Sequence, residues 1–275
     1  MSRLLEVKHL TVTDVRDNDV VIDDLSFALD ENRCLGIVGE SGSGKSMTAK
    51  TLLGLNRDWL KPQGQAWFTG NRGRIDLLTQ GPRVLEKIRG TEIALIVQDA
   101  MSAFDPLEKL GRQMTETFVE KLNLNKKEAE GRAAEALAML NIDDPAALMA
   151  RYPHQLSGGM LQRCMIAIAL VMQPRLIIAD EPTTALDAVN QRQVVNLFEL
   201  LRKKTDTALI FISHDLGVVK RLADDILVMK AGRAVEAGPA AEIFRHPDSE
   251  YTRYLMESRL MITKSLKIAL GGEKV

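Results

Sequence analysis

Aromatic residues make up only 4% of the 275-residue chain. So thin a supply leaves little material for the stacked platforms on which single-stranded nucleic acid is held. No sign of charge dominates either: 36 lysines and arginines stand against 37 acidic residues, for a formal net charge of -1. Without a global basic field the chain is not expected to gather nucleic acid or anionic lipid. The two cysteines, Cys34 and Cys164, lie far apart in apolar surroundings, which predicts buried thiols and no disulfide. Four histidines, at 9, 154, 214 and 246, make no metal-ligand spacing with them. The longest apolar run, Cys164 to Met172, has nine residues, less than half of a membrane-spanning helix. The opening residues Met1-Ser2-Arg3-Leu4-Leu5-Glu6 lack the apolar stretch of a signal peptide. Internal repeats and low-complexity segments are missing too. These absences predict a soluble, intracellular chain that would serve a membrane only through a partner. Its length suffices for one large domain, or a domain plus a subdomain.

Of what is present, Gly39-Glu40-Ser41-Gly42-Ser43-Gly44-Lys45-Ser46 is the most informative stretch. It satisfies the phosphate-binding pattern G-x-x-x-x-G-K-[ST] at each fixed position. Cys34 to Val38 before it reads as a buried parallel strand, and Met47 to Leu53 after it as a helix closed by Gly54. Glycines 39, 42 and 44 let the loop curl until its N–H groups converge on an anion. The helix N-terminus adds partial positive charge on the same side. Lys45 is expected at the β- and γ-phosphates, as a site residue with no part in the core, and the Ser46 hydroxyl on Mg²⁺. The pattern implies a nucleoside triphosphate site. Farther on, Leu176-Ile177-Ile178-Ala179-Asp180-Glu181-Pro182 is an apolar strand ending in two carboxylates. In P-loop folds such a terminal acid helps hold Mg²⁺, the place taken by Asp180. Glu181 is then the candidate general base, or the group that orients the attacking water.

The remaining pattern alternates. Leu5, Val7, Val21, Leu25, Phe27 and Leu29 predict half-buried antiparallel strands at the start. The mixed stretch 56–92 offers one further strand around Trp67 and Phe68, and Ile93 to Val97 a buried one. From Leu107 to about Met172 the pattern is helical, with helices over Ala129 to Leu140 and Gly158 to Met172 and a short one opened by Pro145. After the Leu176 strand come a helix from about Val189 to Lys203, a strand at Ala208 to Ile212, and a strand pair at Asp225 to Met229 and Arg233 to Val235. The expectation is an α/β P-loop ATPase domain with a mixed-sheet core, an N-terminal antiparallel part and a helical insert. It divides into an ATP-binding core at 1–97 and 173–236, a helical subdomain at 98–172, and a C-terminal extension at 237–275.

Tyr152-Pro153-His154-Gln155-Leu156-Ser157-Gly158-Gly159-Met160-Leu161-Gln162-Arg163 contains LSGGMLQR, which resembles the LSGGQ-type signature of ABC-transporter ATPases. Gln98, after its apolar strand, resembles the Q-loop glutamine of that family. Ala185-Leu186-Asp187 resembles the D-loop, and His214 in Ile212-Ser213-His214-Asp215 the H-loop histidine. The set covers nearly the whole chain in the family's order. The resemblance implies an ATP-hydrolysing motor with ATP and Mg²⁺ as cofactors. Ser46, Gln98 and Asp180 would stand at the metal, and Glu181, His214 and Gln98 would serve catalysis. Ser157, Gly158 and Gly159 begin a helix, an anion site, and in the family they cap the γ-phosphate held by the phosphate loop of another subunit. The resemblance therefore implies two chains meeting head to tail. A heterodimer with a second homologous ATPase subunit is preferred over a homodimer. Two membrane permease subunits are the further partners, an extracytoplasmic binding protein an indirect one, and nucleic acid none. The implied place is the cytoplasmic face of the inner membrane, peripheral. One departure stands out: the family's adenine-stacking aromatic, about two dozen positions before the phosphate loop, is absent from Asp14-Val15-Arg16-Asp17-Asn18-Asp19. Arg16 offers a guanidinium plane there, although a solvated loop arginine is the simpler expectation.

Several segments resemble the dipeptide/oligopeptide/nickel importer subfamily: Gly36 to Ser46, Val97 to Leu107, Asp215 to Val219 and Ala223 to Met229. His246 to Leu255 resembles the subfamily's tail, with Ser249 and Glu250 in place of its His and Pro. Ser157 to Ala169, Ser102 to Pro106 and Arg221 to Asp225 look most like the first ATPase subunit of nickel importers. Peptide importers remain the alternative, and a soluble ABC ATPase such as an iron-sulfur assembly factor a further one. Met101, Phe104 and Leu107 suit either the core of the helical subdomain or a face for the permease.

Overall fold

The computed structural model describes residues 2–71, 73–184 and 188–258. Strands β1 (Arg3–Asp14) and β2 (Asp19–Asp30) pair antiparallel, as their alternation predicts. β3 (Cys34–Val38), buried at every residue, leads into the phosphate loop and helix α1 (Lys45–Leu52). The stretch 56–92 departs from expectation. Instead of one strand it holds β4 (Leu60–Gly70), β5 (Gly73–Asp76) and helix α2 (Pro82–Ile88). Pro62 and Gly64 mask β4 in sequence, because both are rare inside strands. Gly64 sits at φ 104°, and a Cβ there would lie 2.4 Å from the His9 carbonyl oxygen. The strand uses that close approach at an irregularity in its pairing with β1, between Lys8 and Thr11. These strands form a four-stranded sheet in the order β2-β1-β4-β5.

After β6 (Ile93–Ile96) comes the helical insert: α3 (Leu110–Leu122), α4 (Lys126–Met139), α5 (Pro145–Met149) and α6 (Gly158–Met172). Its boundaries follow capping chemistry. Asn125 accepts the Glu128 N–H while Glu128 accepts the Asn125 N–H, a reciprocal box that starts α4. Asp144 accepts from Ala147 ahead of Pro145, the first residue of α5. The chain then returns through β7 (Leu176–Asp180), α7 (Ala188–Lys204), β8 (Ala208–Ile212), α8 (Leu216–Leu222), β9 (Asp225–Lys230), β10 (Arg233–Pro239) and α9 (Ala240–Ile243). Residues 250–258 form one more helical stretch. β10 continues to Pro239, beyond the three residues expected of it.

A second sheet runs β10-β9-β3-β8-β7-β6. It is mixed: β9, β3, β8, β7 and β6 are parallel to their neighbours, and β10 is antiparallel to β9. Successive side chains on its central strands face opposite ways, so the strands feed two cores. Leu35, Ile37, Ile178 and Ile210 pack with α1 and the antiparallel sheet, while Cys34, Val38, Ile177 and Phe211 pack with the helical insert, α7 and α8. Burial pushes the Cys34 and Cys164 thiols up to about 12, and both are free. No helix among the described residues is long and apolar enough to cross a membrane. The parallel register brings the C-terminal ends of β3, β8, β7 and β6 to one edge, the edge where open α/β sheets bind ligands.

Candidate active site

The loop after β3 depends on a residue without a Cβ. Gly39 has φ 153°, and a Cβ there would lie 2.2 Å from the Met229 carbonyl oxygen and 2.7 Å from Ser43 Oγ. The loop closes on itself as the Ser43 N–H donates to the Glu40 carbonyl at 3.2 Å. It is also tied to the β9–β10 turn, where the Gly232 N–H donates to the Ser43 carbonyl at 3.1 Å. Lys45 belongs to neither hydrophobic core, as expected, but it is buried within its own loop. It is only 4% exposed. Its Nζ donates to the Gly39 and Glu40 carbonyls at 2.9 and 2.7 Å, with Ser43 Oγ at 3.4 Å. Burial lowers its pKa, against the pull of Glu181, Asp180 and Glu40. The same ammonium therefore braces the loop from within.

At the end of β7, Asp180 accepts a 2.7 Å hydrogen bond from Ser46 Oγ. Burial raises the Asp180 pKa; the Ser46 bond opposes this and neighbouring Glu181 adds to it. A buried carboxylate in need of a counter-charge, joined to a hydroxyl, is a pair of hard oxygen donors suited to Mg²⁺. Among the described residues no group of three or more His, Cys, Asp or Glu could hold a metal.

Glu181 follows at φ 47°, a left-handed conformation that costs an ordinary residue free energy. Its N–H donates to the Ile212 carbonyl at 3.0 Å. Oε2 accepts from Thr184 Oγ1 at 2.8 Å and lies 3.2 Å from His214 Nδ1. Glu181 and His214 meet as the motifs predict; Thr184, three residues past Glu181, joins them without belonging to any motif. One cavity of about 810 Å³ joins Gly39, Glu40, Ser41, Gln98, Glu181, Thr184 and His214. Tyr254, Leu255 and Ser258, from the helical stretch 250–258, line it as well.

Ser157 caps α6, its Oγ accepting from the Met160 N–H at 3.3 Å. Ser157 and Gly158 are exposed, Gly159 is half-buried, and none of the three lines the cavity around the phosphate loop. Ala185, Leu186 and Asp187 lie outside the described residues. Arg16 is a solvated turn arginine, as the sequence suggests, with its side chain 60% exposed, but it is also held in place. It donates to Asp14 through Nε at 2.9 Å and Nη2 at 2.6 Å, and its guanidinium lies 4.5 Å from the Trp59 ring centroid. Arg57 approaches the same ring at 5.2 Å. The Val15 N–H donates to the Trp59 carbonyl at 3.0 Å, which joins the two segments.

Residues 22–184, more than half of the chain, match the family described as ABC transporter. The chain belongs to that family. It is 42% identical over 270 residues, 98% of both chains, to the metal-staphylopine import system ATP-binding protein CntD of Staphylococcus aureus. It is equally 42% identical over 265 residues to the oligopeptide transport ATP-binding protein OppD of Bacillus subtilis, covering 94% of this chain and 72% of that one. Among solved structures it resembles cbiO1 of Clostridium perfringens, part of the ABC transporter complex cbiONQ. That match has TM-score 0.73 and 26% identity over 90% of this chain and 92% of the other. It also resembles the dimeric ATP-binding cassette MJ0796 bound to ADP and Pi, with TM-score 0.75 and 25% identity over 86% and 99%. This ABC-family chain is thus an ATP-binding subunit of an importer, an ATPase coupled to transport, and it has the mixed-sheet α/β fold expected of it.

Proposed function

We propose that this ATPase energises uptake of a transition metal or its chelate, with nickel the favoured ion, from a catalytic centre completed by a second subunit. The carrying observation is the convergence of Ser46, Asp180, Glu181 and His214 beside the phosphate loop. In this reading the loop amides and Lys45 hold the triphosphate, a phosphate oxygen taking the place of the long Ser43 contact. Ser46 and Asp180, with Gln98, would hold Mg²⁺, which would supply charge neutralisation for the phosphates. Glu181 accepts a hydrogen bond from the attacking water and draws its proton as the water oxygen bonds to the γ-phosphorus and the bond to ADP breaks. The products are ADP and inorganic phosphate. Thr184 and His214 keep the Glu181 carboxylate aimed. His214 can donate to Glu181 and to a γ-phosphate oxygen together only with both ring nitrogens protonated.

The capping anion site is the Ser157 end of α6 in another subunit, since this chain's own Ser157 does not line its cavity. A second homologous ATPase subunit is the favoured partner, in a head-to-tail pair. The pair sits on the cytoplasmic face of the inner membrane through two permease subunits, which receive cargo from an extracytoplasmic binding protein. The helical subdomain, 98–172, makes the permease contact. Phe104 is 7% exposed and belongs to the core, whereas Met101 and Leu107 are 39% and 83% exposed, which supports docking through the latter two.

The cargo assignment rests on the resemblance to nickel-importer subunits and on a metal-chelate importer relative matched along 98% of both chains. Equal identity to OppD keeps peptide as the second reading. Cells without this chain are expected to lose uptake of radiolabelled nickel and to regain it from the wild-type gene but not from Glu181→Gln. Loss of labelled dipeptide uptake with nickel uptake intact would transfer the chain to the peptide importers.

Arg16, stacked on Trp59 and paired with Asp14, is proposed as the surface on which adenine lies in place of the missing aromatic. Arg16→Ala is expected to weaken MgATP binding about five-fold, the scale of one cation–π contact, and to leave competition by inorganic tripolyphosphate unchanged. An equal loss for tripolyphosphate would place Arg16 at the phosphates instead.

A further inference from the structure

We infer that Tyr251 is a positioning residue of the nucleotide site, holding the phosphate loop from the C-terminal extension through its hydroxyl. The Glu40 N–H donates to Tyr251 Oη at 3.1 Å, across 211 residues of chain. Glu40 is the junction of the loop: its carbonyl accepts from Lys45 Nζ at 2.7 Å and from the Ser43 N–H at 3.2 Å. The tyrosine thus fixes the Gly39–Glu40 peptide unit, whose Gly39 carbonyl also accepts from Lys45 Nζ at 2.9 Å, directly before the Glu40 carbonyl on which the loop's own turn depends.

Tyr251 is itself held in place. Lys230 Nζ lies 4.7 Å from its ring centroid, and the ring packs against the core shared by the helical insert. The residues before it are fastened to β10, because the Glu236 carboxylate accepts from the Asp248 and Ser249 N–H groups at 2.9 and 3.2 Å. Neighbouring Thr252 is 1% exposed. Burial raises the phenol's pKa, which favours the protonated hydroxyl, itself an acceptor for the amide. From this anchor the helical stretch runs along the cavity, where Tyr254, Leu255 and Ser258 share a wall with Glu181 and His214. A loop fixed before the nucleotide arrives loses less freedom on binding. The hydroxyl touches none of the groups assigned to the chemical step, so its effect belongs to affinity.

The inference rests on the reading of this loop as the ATP site. The test uses the full chain with MgADP and MgATP as probes. Tyr251→Phe, which keeps the ring over Lys230, is expected to raise the MgADP dissociation constant and the KM for ATP about 3- to 10-fold, the scale of one hydrogen bond. The kcat should stay within about two-fold. Tyr251→Leu should weaken binding at least as much. Wild-type affinity in Tyr251→Phe overturns the inference, also when Tyr251→Leu binds poorly, because ring packing alone then matters. A fall in kcat with KM unchanged overturns it as well. Should Tyr251→Leu not fold, the Phe comparison decides alone. Lys45→Ala in the same titration separates the two levels: wild-type nucleotide binding there would overturn the site reading itself.

Discussion

Glu181→Gln is expected to lower ATP hydrolysis by about 10²–10⁴-fold, the usual worth of general acid–base catalysis, while MgATP binding survives or tightens. The amide keeps an oxygen for the Thr184 hydroxyl and tolerates the left-handed backbone as glutamate does, but it cannot take the proton of the water. It also removes a negative charge that helps raise the pKa of Asp180, so Asp180 becomes easier to ionise and a better partner for Mg²⁺. Unable to turn over, the chain should accumulate with its partner subunit as an ATP-bound pair visible by sedimentation. Asp180→Asn should differ, weakening Mg²⁺-dependent binding itself. Nucleotide titrations with and without Mg²⁺ on both variants separate the roles. Equal loss of affinity in both, with normal hydrolysis per ATP bound to Glu181→Gln, would refute the assignment of Glu181.

Lys45→Ala is expected to bring hydrolysis to background and to weaken MgATP binding on the order of 10- to 100-fold, as removal of a charge-assisted contact does. Because Lys45 is buried and holds two carbonyls of its own loop, the variant should lose stability too. The lost bonds are partly offset by no longer burying a charge, leaving a net cost of about 1–2 kcal/mol. For a domain of this size that is a melting temperature lower by roughly 2–8 °C. Phosphate release, nucleotide titration and a circular-dichroism melt measure the three effects. Wild-type turnover would remove Lys45 from the site.

The parts of the site that local spacing dictates could be read without coordinates. Gly39 to Ser46 must lie between a strand and a helix, and Asp180 and Glu181 must end an apolar strand, so their proximity follows from how parallel strands align. The long antiparallel strand around Trp67 was hidden, because Pro62 and Gly64 look like a loop until a neighbouring backbone is seen to need the missing Cβ. Trp59 under Arg16 and Tyr251 on Glu40 were illegible for a different reason. Each pair joins segments far apart in the chain, and no periodicity connects them. Met101, Phe104 and Leu107 share one composition, and only packing distinguishes the buried phenylalanine from its exposed neighbours.

Asp180 stands opposite Ile212 in the β7–β8 ladder, and the Glu181 N–H extends that ladder by one bond to the Ile212 carbonyl. The carboxylate and the imidazole two residues past Ile212 are thereby mounted on strands buried at every position. Such strands belong to the part of a protein whose amides exchange last, by near-global opening. Two groups so mounted are expected to keep their spacing while less deeply anchored parts of the molecule move around them.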